Sequence, residues 1–264
     1  MIGQEKLLKT FNSFTLDTFP KSSLILGEYG SGKHTLLTNL SEHLKLDLID
    51  ITSNISFEYI NDIYSRPIPA IYFIDTSLIT EKQQNVILKF LEEPLKNSYV
   101  VLLSENKTNL LDTIINRCFI FELEQYTRKE LEYFIKDDKN KDLILNVCRT
   151  PGQILSLNLS NIQDLYQLCD KIVNKLNQAS YANTLTIADK INYKDDYNKF
   201  DINIFFETLI FTMFNSYLTY NNKNILPLYY LTVEYRKKLR DKRLNKAHFM
   251  ENYLTNLWLK ARGR

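Results

Sequence analysis

The chain holds six glycines in 264 residues, and three of them, Gly27, Gly30 and Gly32, fall within six consecutive positions. None occurs between Gly32 and Gly152. Glycine reaches backbone conformations closed to other residues and lets a main chain approach another group closely. The cluster therefore marks one place where the backbone turns sharply or comes close to something. Upstream, Ser22–Leu26 (SSLIL) reads as a short buried strand, and downstream Thr35–Leu44 (TLLTNLSEHL) has helical periodicity. Strand, glycine loop and helix in that order are the setting of a phosphate-binding loop of the type GxxxxGK[ST]. There, inward N–H groups and a helix N-terminus cradle phosphate, and the lysine reaches the outer phosphates. Gly27, Gly32 and Lys33 occupy its fixed positions.

The next position departs from that pattern. His34 stands where a Ser or Thr hydroxyl normally holds Mg²⁺, and Thr35 comes one place late, useful to a metal only if the loop shifts register. Ala70–Asp75 (AIYFID) is an apolar run ending in a carboxylate, suited to a central strand of a parallel sheet buried on both faces. Asp75 stands where an acidic residue would hold the metal's water. The following position, where a hydrolysing enzyme places a glutamate to activate the attacking water, is Thr76, which is no base at neutral pH. Two independent parts, metal ligand and base, are altered together, which argues against turnover.

Thr80 can cap a helix through Glu81–Glu93 that Pro94 closes, and Ser98–Ser104 and Phe119–Leu123 read as further strands. Strand and helix alternate to about residue 124, the signature of an α/β layer fold with a parallel sheet. Thr127–Glu130 (TRKE) is a capping box opening another helix. A polar stretch at 136–142 follows, and from about 160 onward the periodic segments are helical, with a polar joint at Asn192–Asp201. Ile202–Tyr220 has apolar residues at 202, 205, 206, 209, 210 and 213 and carries Glu207, which predicts an amphipathic core helix and not a membrane span. The resulting division is 1–124, 125–158 and 159–264.

A net charge of +2 sets up no strong global field toward nucleic acid or membrane. Between Arg236 and Arg264 there are ten basic and two acidic residues, so that segment carries +8 and the remainder −6. The plain reading is a solvated helix face. Cys118, Cys148 and Cys169 form no CxxC pair, so neither a zinc ribbon nor a disulfide framework is supported, and a reduced, cytoplasmic compartment is expected. The first ten residues have no apolar leader segment. His43 and His248 are isolated, and the 17 tyrosines and 15 phenylalanines scatter at core spacings.

Taken in order, IGQ at residues 2–4, GEYGSGK, the run from Ile71 to Pro94 with its QNVILKFLEEP, LLDTIINRC ending at Cys118, and TPGQ at 150–153 resemble the AAA+ subunits of the bacterial DNA polymerase III clamp loader. The resemblance covers roughly residues 2–155 and is nearest the delta-prime branch, in which the fold is kept and the ATPase lost. It implies an AAA+ P-loop core (1–124), a small helical lid (125–158) and an all-helical collar (159–264) that joins subunits in a ring. By that resemblance Arg117 matches the arginine of the family's Ser-Arg-Cys motif, with Asn116 in place of the serine, and would act as an arginine finger on a neighbouring subunit's ATP. Gly27, Gly30, Gly32, Lys33, His34, Thr35, Asp75 and Ser104 (at the first sensor position) would form a degenerate nucleotide site. Gln153 replaces the lid's phosphate-sensing arginine. No cofactor is required, residual ATP or ADP binding is left open, and the absence of cysteine from 34–74 implies no zinc. The implied partners are gamma/tau and delta subunits in a hetero-pentamer, the sliding clamp, and primer–template DNA through phosphate contacts. Two other readings remain at this point: an active AAA+ clamp-loader or helicase-loader ATPase, and a P-loop phosphotransferase.

Overall fold

The computed structural model describes residues 2–108, 110–136, 139–157, 159–176, 178–192, 200–239 and 244–263. The chain divides into two compact units, Met1–Tyr133 with Thr150–Gln153, and Phe134–Arg149 with Ile154–Arg264.

The first unit is an α/β fold around a five-stranded sheet in the order β2-β3-β4-β1-β5. The strands are β1 (Ser22–Leu26), β2 (Asp47–Asp50), β3 (Ala70–Asp75), β4 (Tyr99–Ser104) and β5 (Phe119–Glu122), and every neighbouring pair is parallel. The runs at β1, β3 and β4 are almost wholly buried, as continuous apolar segments of a parallel sheet must be. Alternate side chains leave by opposite faces. Leu24, Tyr72, Ile74, Val100 and Leu102 pack on one face with Ile60 of α3 (Phe57–Ser65) and Ile87 and Phe90 of α4 (Glu81–Glu92). Ile25, Ile71, Phe73, Val101 and Leu103 pack on the other with Phe11 of α1 (Glu5–Ser13) and Leu36, Leu37 and Leu40 of α2 (Lys33–Leu44). Helices on both faces of a parallel sheet are the layered arrangement that the alternation predicts.

The helix starts follow local chemistry. Thr80 accepts from Gln83 N–H while the Gln83 side chain accepts from Thr80 N–H, a reciprocal capping box at the head of α4. Thr127 and Glu130 do the same for α6 (Arg128–Glu132). Here α5 is Asp112–Ile115, between β4 and β5. Two details differ from the sequence reading: α2 begins at Lys33 and not Thr35, and α1, β2, α3 and α5 are additional elements. At the sheet edge, β2 exposes both terminal aspartates and so lacks a buried strand's pattern.

The second unit is mainly helical, with α7 (Lys141–Val147), most of α8 (Pro151–Ser156), α9 (Leu159–Lys175), α10 (Tyr181–Leu185), α11 (Ile202–Tyr220), α12 (Leu226–Lys238) and α13 (Lys246–Lys260), but it is not all-helical as the sequence implied: β6 (Ile191–Asn192) and β7 (Phe200–Asp201) form a short parallel pair just ahead of α11. The core helix α11 packs against α7, α9 and α12. Its buried face is wider than the apolar stripe. Glu207, Thr208, Thr212 and Ser216 are buried with it, whereas Ile210 is only partly so. The two threonines are satisfied inside the helix, donating to Ile204 O and Thr208 O at 2.8 Å each. Glu207 is paired on both oxygens, accepting from Arg149 Nη2 at 3.2 Å and from Arg236 Nε at 2.9 Å. Among the described residues no helix is long and apolar enough to cross a membrane.

The basic C-terminal stretch is less uniformly solvated than its composition suggests. Arg236 turns inward to Glu207, and Arg262 lies over the Trp258 ring at 4.1 Å while donating to Ala179 O. Positions 240–243 and 264 of that stretch lie outside the described residues, as do 137–138 of the polar stretch and 193–199 of the polar joint.

Candidate functional site

The glycine loop leaves the C-terminal end of β1 and runs into α2. Gly27 N–H donates to Ser104 O at 3.1 Å, tying the loop's first residue to the end of β4. Ser31 N–H donates to Glu28 O at 3.1 Å, closing a turn. Gly30 and Gly32 take φ of 75° and 94°, the left-handed region where a side chain is strained. Gly32 is the N-cap of α2, so the strand–loop–helix geometry of a phosphate cradle is present. The ends of β3 and β4 bring Asp75 and Ser104 to this same edge of the sheet.

In this structure these groups are bonded within the chain. Lys33 Nζ donates to Gly27 O at 2.6 Å and to Glu28 O at 3.0 Å, both carbonyls of its own loop. His34 and Thr35 lie exposed in the first turn of α2, with the His34 ring edge-on to Phe73 at 5.2 Å. The Asp75 carboxylate accepts from Ser77 N–H at 2.8 Å. Thr76 is buried and its hydroxyl donates to Leu103 O at 3.0 Å, so this position holds a structural hydrogen bond where a base would stand. Ser104 Oγ donates to Asn106 O at 2.8 Å.

Sequence reasoning missed how closely the 150–153 segment approaches the loop. Thr150 Oγ1 donates to Tyr29 O at 2.8 Å, and Gly152 N–H donates to Gly30 O at 2.9 Å. A Cβ built on Gly152 would stand 2.4 Å from Gly30 Cα, and one on Gly30 would stand 2.8 Å from Gly152 Cα. Neither residue tolerates a side chain while the other is in place. Tyr126 Oη adds a bond to Ser31 O at 2.8 Å. Ser31 Oγ is buried without a hydrogen-bond partner among the described residues. The hints in the sequence are that Gly152 is the first glycine after Gly32 and that, by the resemblance, Gln153 stands at a phosphate-sensing position.

Arg117 lies elsewhere. It follows α5 and enters β5, whose Phe119 pairs with Ser23 near the start of β1, while the loop leaves beyond Leu26 at the other end. At roughly 3.3 Å per residue the two sites are separated by about 13 Å or more along the strand direction. The structure thus gathers Gly27, Gly30, Gly32, Lys33, His34, Thr35, Asp75 and Ser104 at one edge and leaves Arg117 at the opposite one. There Arg117 Nε donates to Glu92 Oε1 at 2.6 Å, Nη2 meets the same oxygen, and Nη1 donates to Thr113 O at 2.7 Å. The side chain remains 35% exposed. Glu92 was not singled out in the sequence, although it belongs to the LEEP run.

Burial pushes the Cys118 and Cys148 thiols up to about 12 and raises Cys169 further. Thiols so raised are poor nucleophiles and poor metal ligands at neutral pH.

Comparison with known proteins bears on the same stretch. The family described as DNA polymerase III, delta subunit, matches residues 61–127, which contain both the LEEP and the NRC runs. DNA polymerase III subunit delta' of Buchnera aphidicola subsp. Schizaphis graminum is 26% identical over 114 residues, 43% of this chain and 34% of that protein. The Bacillus subtilis delta' subunit is 43% identical over 54 residues, 20% of this chain and 16% of that protein. The gamma subunit of Buchnera aphidicola subsp. Baizongia pistaciae is 22% identical over 209 residues, 66% of this chain and 56% of that protein. The alignments thus span well under two thirds of each relative's length. Among solved structures, a DNA polymerase III gamma subunit-related protein from Thermotoga maritima aligns over 98% of this chain and 100% of its own, at 16% identity and TM-score 0.48. The RuvB Holliday junction branch migration motor of the same organism aligns over 83% of this chain and 78% of its own, at 17% identity and TM-score 0.49. By sequence, therefore, this chain is similar to DNA polymerase III delta-prime subunits, and the match to the family model falls on the segment that carries the Glu92 and Arg117 runs.

Proposed function

We propose that the chain is a non-hydrolysing subunit of a DNA polymerase III clamp loader, a stator that lends Arg117 to the ATP site of an adjacent subunit. One observation carries this reading: Arg117 stands at the sheet edge opposite the chain's own phosphate loop, ion-paired and partly exposed, where it cannot reach a phosphate in that loop. A guanidinium offered in trans neutralises charge developing on the γ-phosphate. The chain's own loop keeps the lysine but lacks two other parts, since His34 replaces the metal's hydroxyl and Thr76 replaces the base. No independent ATPase activity is expected, and neither zinc nor bound nucleotide is needed for the role.

In this reading, residues 1–124 form the AAA+ core, 125–158 the lid and 159–264 a collar that joins gamma/tau-type and delta-type subunits into a cytoplasmic hetero-pentamer. That ring loads a sliding clamp onto primed DNA and touches the DNA through phosphates, with salt-sensitive affinity and no base reading. The test is reconstitution with gamma/tau-type and delta-type partners and measurement of DNA- and clamp-stimulated ATPase. Arg117→Ala should leave assembly intact and lower the stimulated rate by about 10³-fold. An unchanged rate rejects the finger. Steady-state hydrolysis by the purified chain, abolished by Lys33→Ala, would instead establish an active ATPase.

A further inference from the structure

The Arg117 guanidinium is held on two sides. Its Nε and Nη2 meet one oxygen of Glu92, and its Nη1 donates to Thr113 O at 2.7 Å. Of the five N–H donors of an arginine fork, this leaves one on Nη1 and one on Nη2, while the side chain stays 35% exposed. The two residues stand 25 positions apart, so the contact is made by the fold and not by local sequence.

Both ends of the contact are anchored by backbone. Glu92 is the last residue of α4. Tyr64 Oη of α3 donates to the carbonyls of Glu93 at 2.7 Å and Lys89 at 3.3 Å, fixing the helix end, and Pro94 prevents its continuation. On the other side, Arg117 N–H donates to Ile114 O at 3.0 Å, so the residue leaves α5 on a closed turn. An ion pair between partly exposed side chains contributes little to stability. Holding a long arginine in one rotamer, however, removes in advance the freedom that it would otherwise lose on meeting a phosphate.

We infer that Glu92 is a positioning residue for Arg117: its carboxylate takes the inner edge of the guanidinium and turns the remaining N–H groups outward, ready for an anion on a neighbouring subunit. This rests on the proposed finger role, and it adds the residue that sets the finger's geometry. Glu92 itself touches no reacting atom in this scheme. Its carboxylate meets the Nε and Nη2 edge of the guanidinium and leaves one N–H on Nη1 and one on Nη2 uncommitted.

Two measurements test it. In the isolated full chain, the ¹⁵N–¹H signal of Arg117 Nε should report an ordered group in wild type and a mobile one in Glu92→Ala. In the reconstituted complex, Glu92→Ala should lower the kcat of stimulated ATPase by about tenfold while KM for ATP stays within about twofold. Glu92→Gln, which keeps an oxygen acceptor for Nε, should recover most of that loss. A merely structural role would not separate kcat from KM in this way. If Arg117→Ala abolishes stimulation but Glu92→Ala leaves kcat unchanged or raises it, the inference falls and the finger reading stands. If Arg117→Ala has no effect, the finger reading falls first and takes the inference with it. Should Glu92→Ala fail to assemble, Glu92→Gln and the Nε signal decide, and an Arg117 Nε equally ordered in Glu92→Ala overturns the inference.

Discussion

Lys33 and Arg117 are cations at opposite edges of one parallel sheet, and their surroundings differ in kind. The Lys33 ammonium is directed at two carbonyls of its own loop, and that loop is bonded in turn by Thr150, Gly152 and Tyr126. At the loop edge, protein groups close on protein groups. At the other edge, Arg117 is fixed by one carboxylate and one carbonyl while part of its fork stays accessible. One edge thus carries the strand–loop–helix geometry of a phosphate cradle, and the other an ion-paired, partly exposed cation. Fold and chemistry have separated within a single layer of secondary structure.

The strongest way to break this contrast is to remove each cation in turn within the assembled complex. Arg117→Ala is expected to cost about 10³-fold in stimulated ATPase, whereas Lys33→Ala should stay within about twofold of wild type. The opposite ranking would place the working site in this chain's own loop. A second test probes the packing beneath Arg117. Burial disfavours the charged form of the neighbouring Cys118 thiol and pushes it up to about 12. Its thiolate fraction at pH 8 should then be about 10³-fold below that of an ordinary cysteine near 8.5. Disulfide-reagent labelling at Cys118 should be correspondingly slow and climb about tenfold per pH unit up to that value. Rapid labelling at pH 8 would mean that the corner opens.

The loop edge is tested by Gly152→Ala, whose methyl would stand 2.4 Å from Gly30 Cα. Because backbone meets backbone, a loss of about 3 kcal/mol is expected on chemical denaturation. An unmoved midpoint would show slack in the contact. The smallest effect belongs to Thr80→Ala, which removes the capping box of α4 at the end far from Glu92. It should lower stability by about 1 kcal/mol and leave stimulated ATPase unaltered, which separates the stability of α4 from the placement of its last residue.

Much of the first unit was legible because its signals are local. The apolar runs SSLIL and AIYFID declare buried parallel strands, Thr80 and Thr127 declare helix starts, and Gly27, Gly32 and Lys33 declare the loop between β1 and α2. Asp47–Asp50 did not announce itself, since a short edge strand with exposed charges at both ends has no buried periodicity. The face of α11 was only half legible: apolar residues marked one stripe, but Glu207 becomes buried only because Arg149 and Arg236 arrive from distant segments. The same limit hid the two contacts that matter most at the candidate sites. Glu92 and Arg117 each sit in a recognisable run, yet nothing in either run states that they touch. Gly30 and Gly152 lie 122 positions apart in the sequence, and only the fold makes each the reason for the other.

That last pair has a consequence for how such a chain drifts over generations. Each glycine occupies the volume into which its counterpart would have to grow, so a substitution at one position cannot be rescued by enlarging the other. The two behave as one mutational unit under purifying selection for folding alone. A requirement for glycine at position 30 is then accounted for by steric lock-in alone and carries no information about whether nucleotide is ever turned over there.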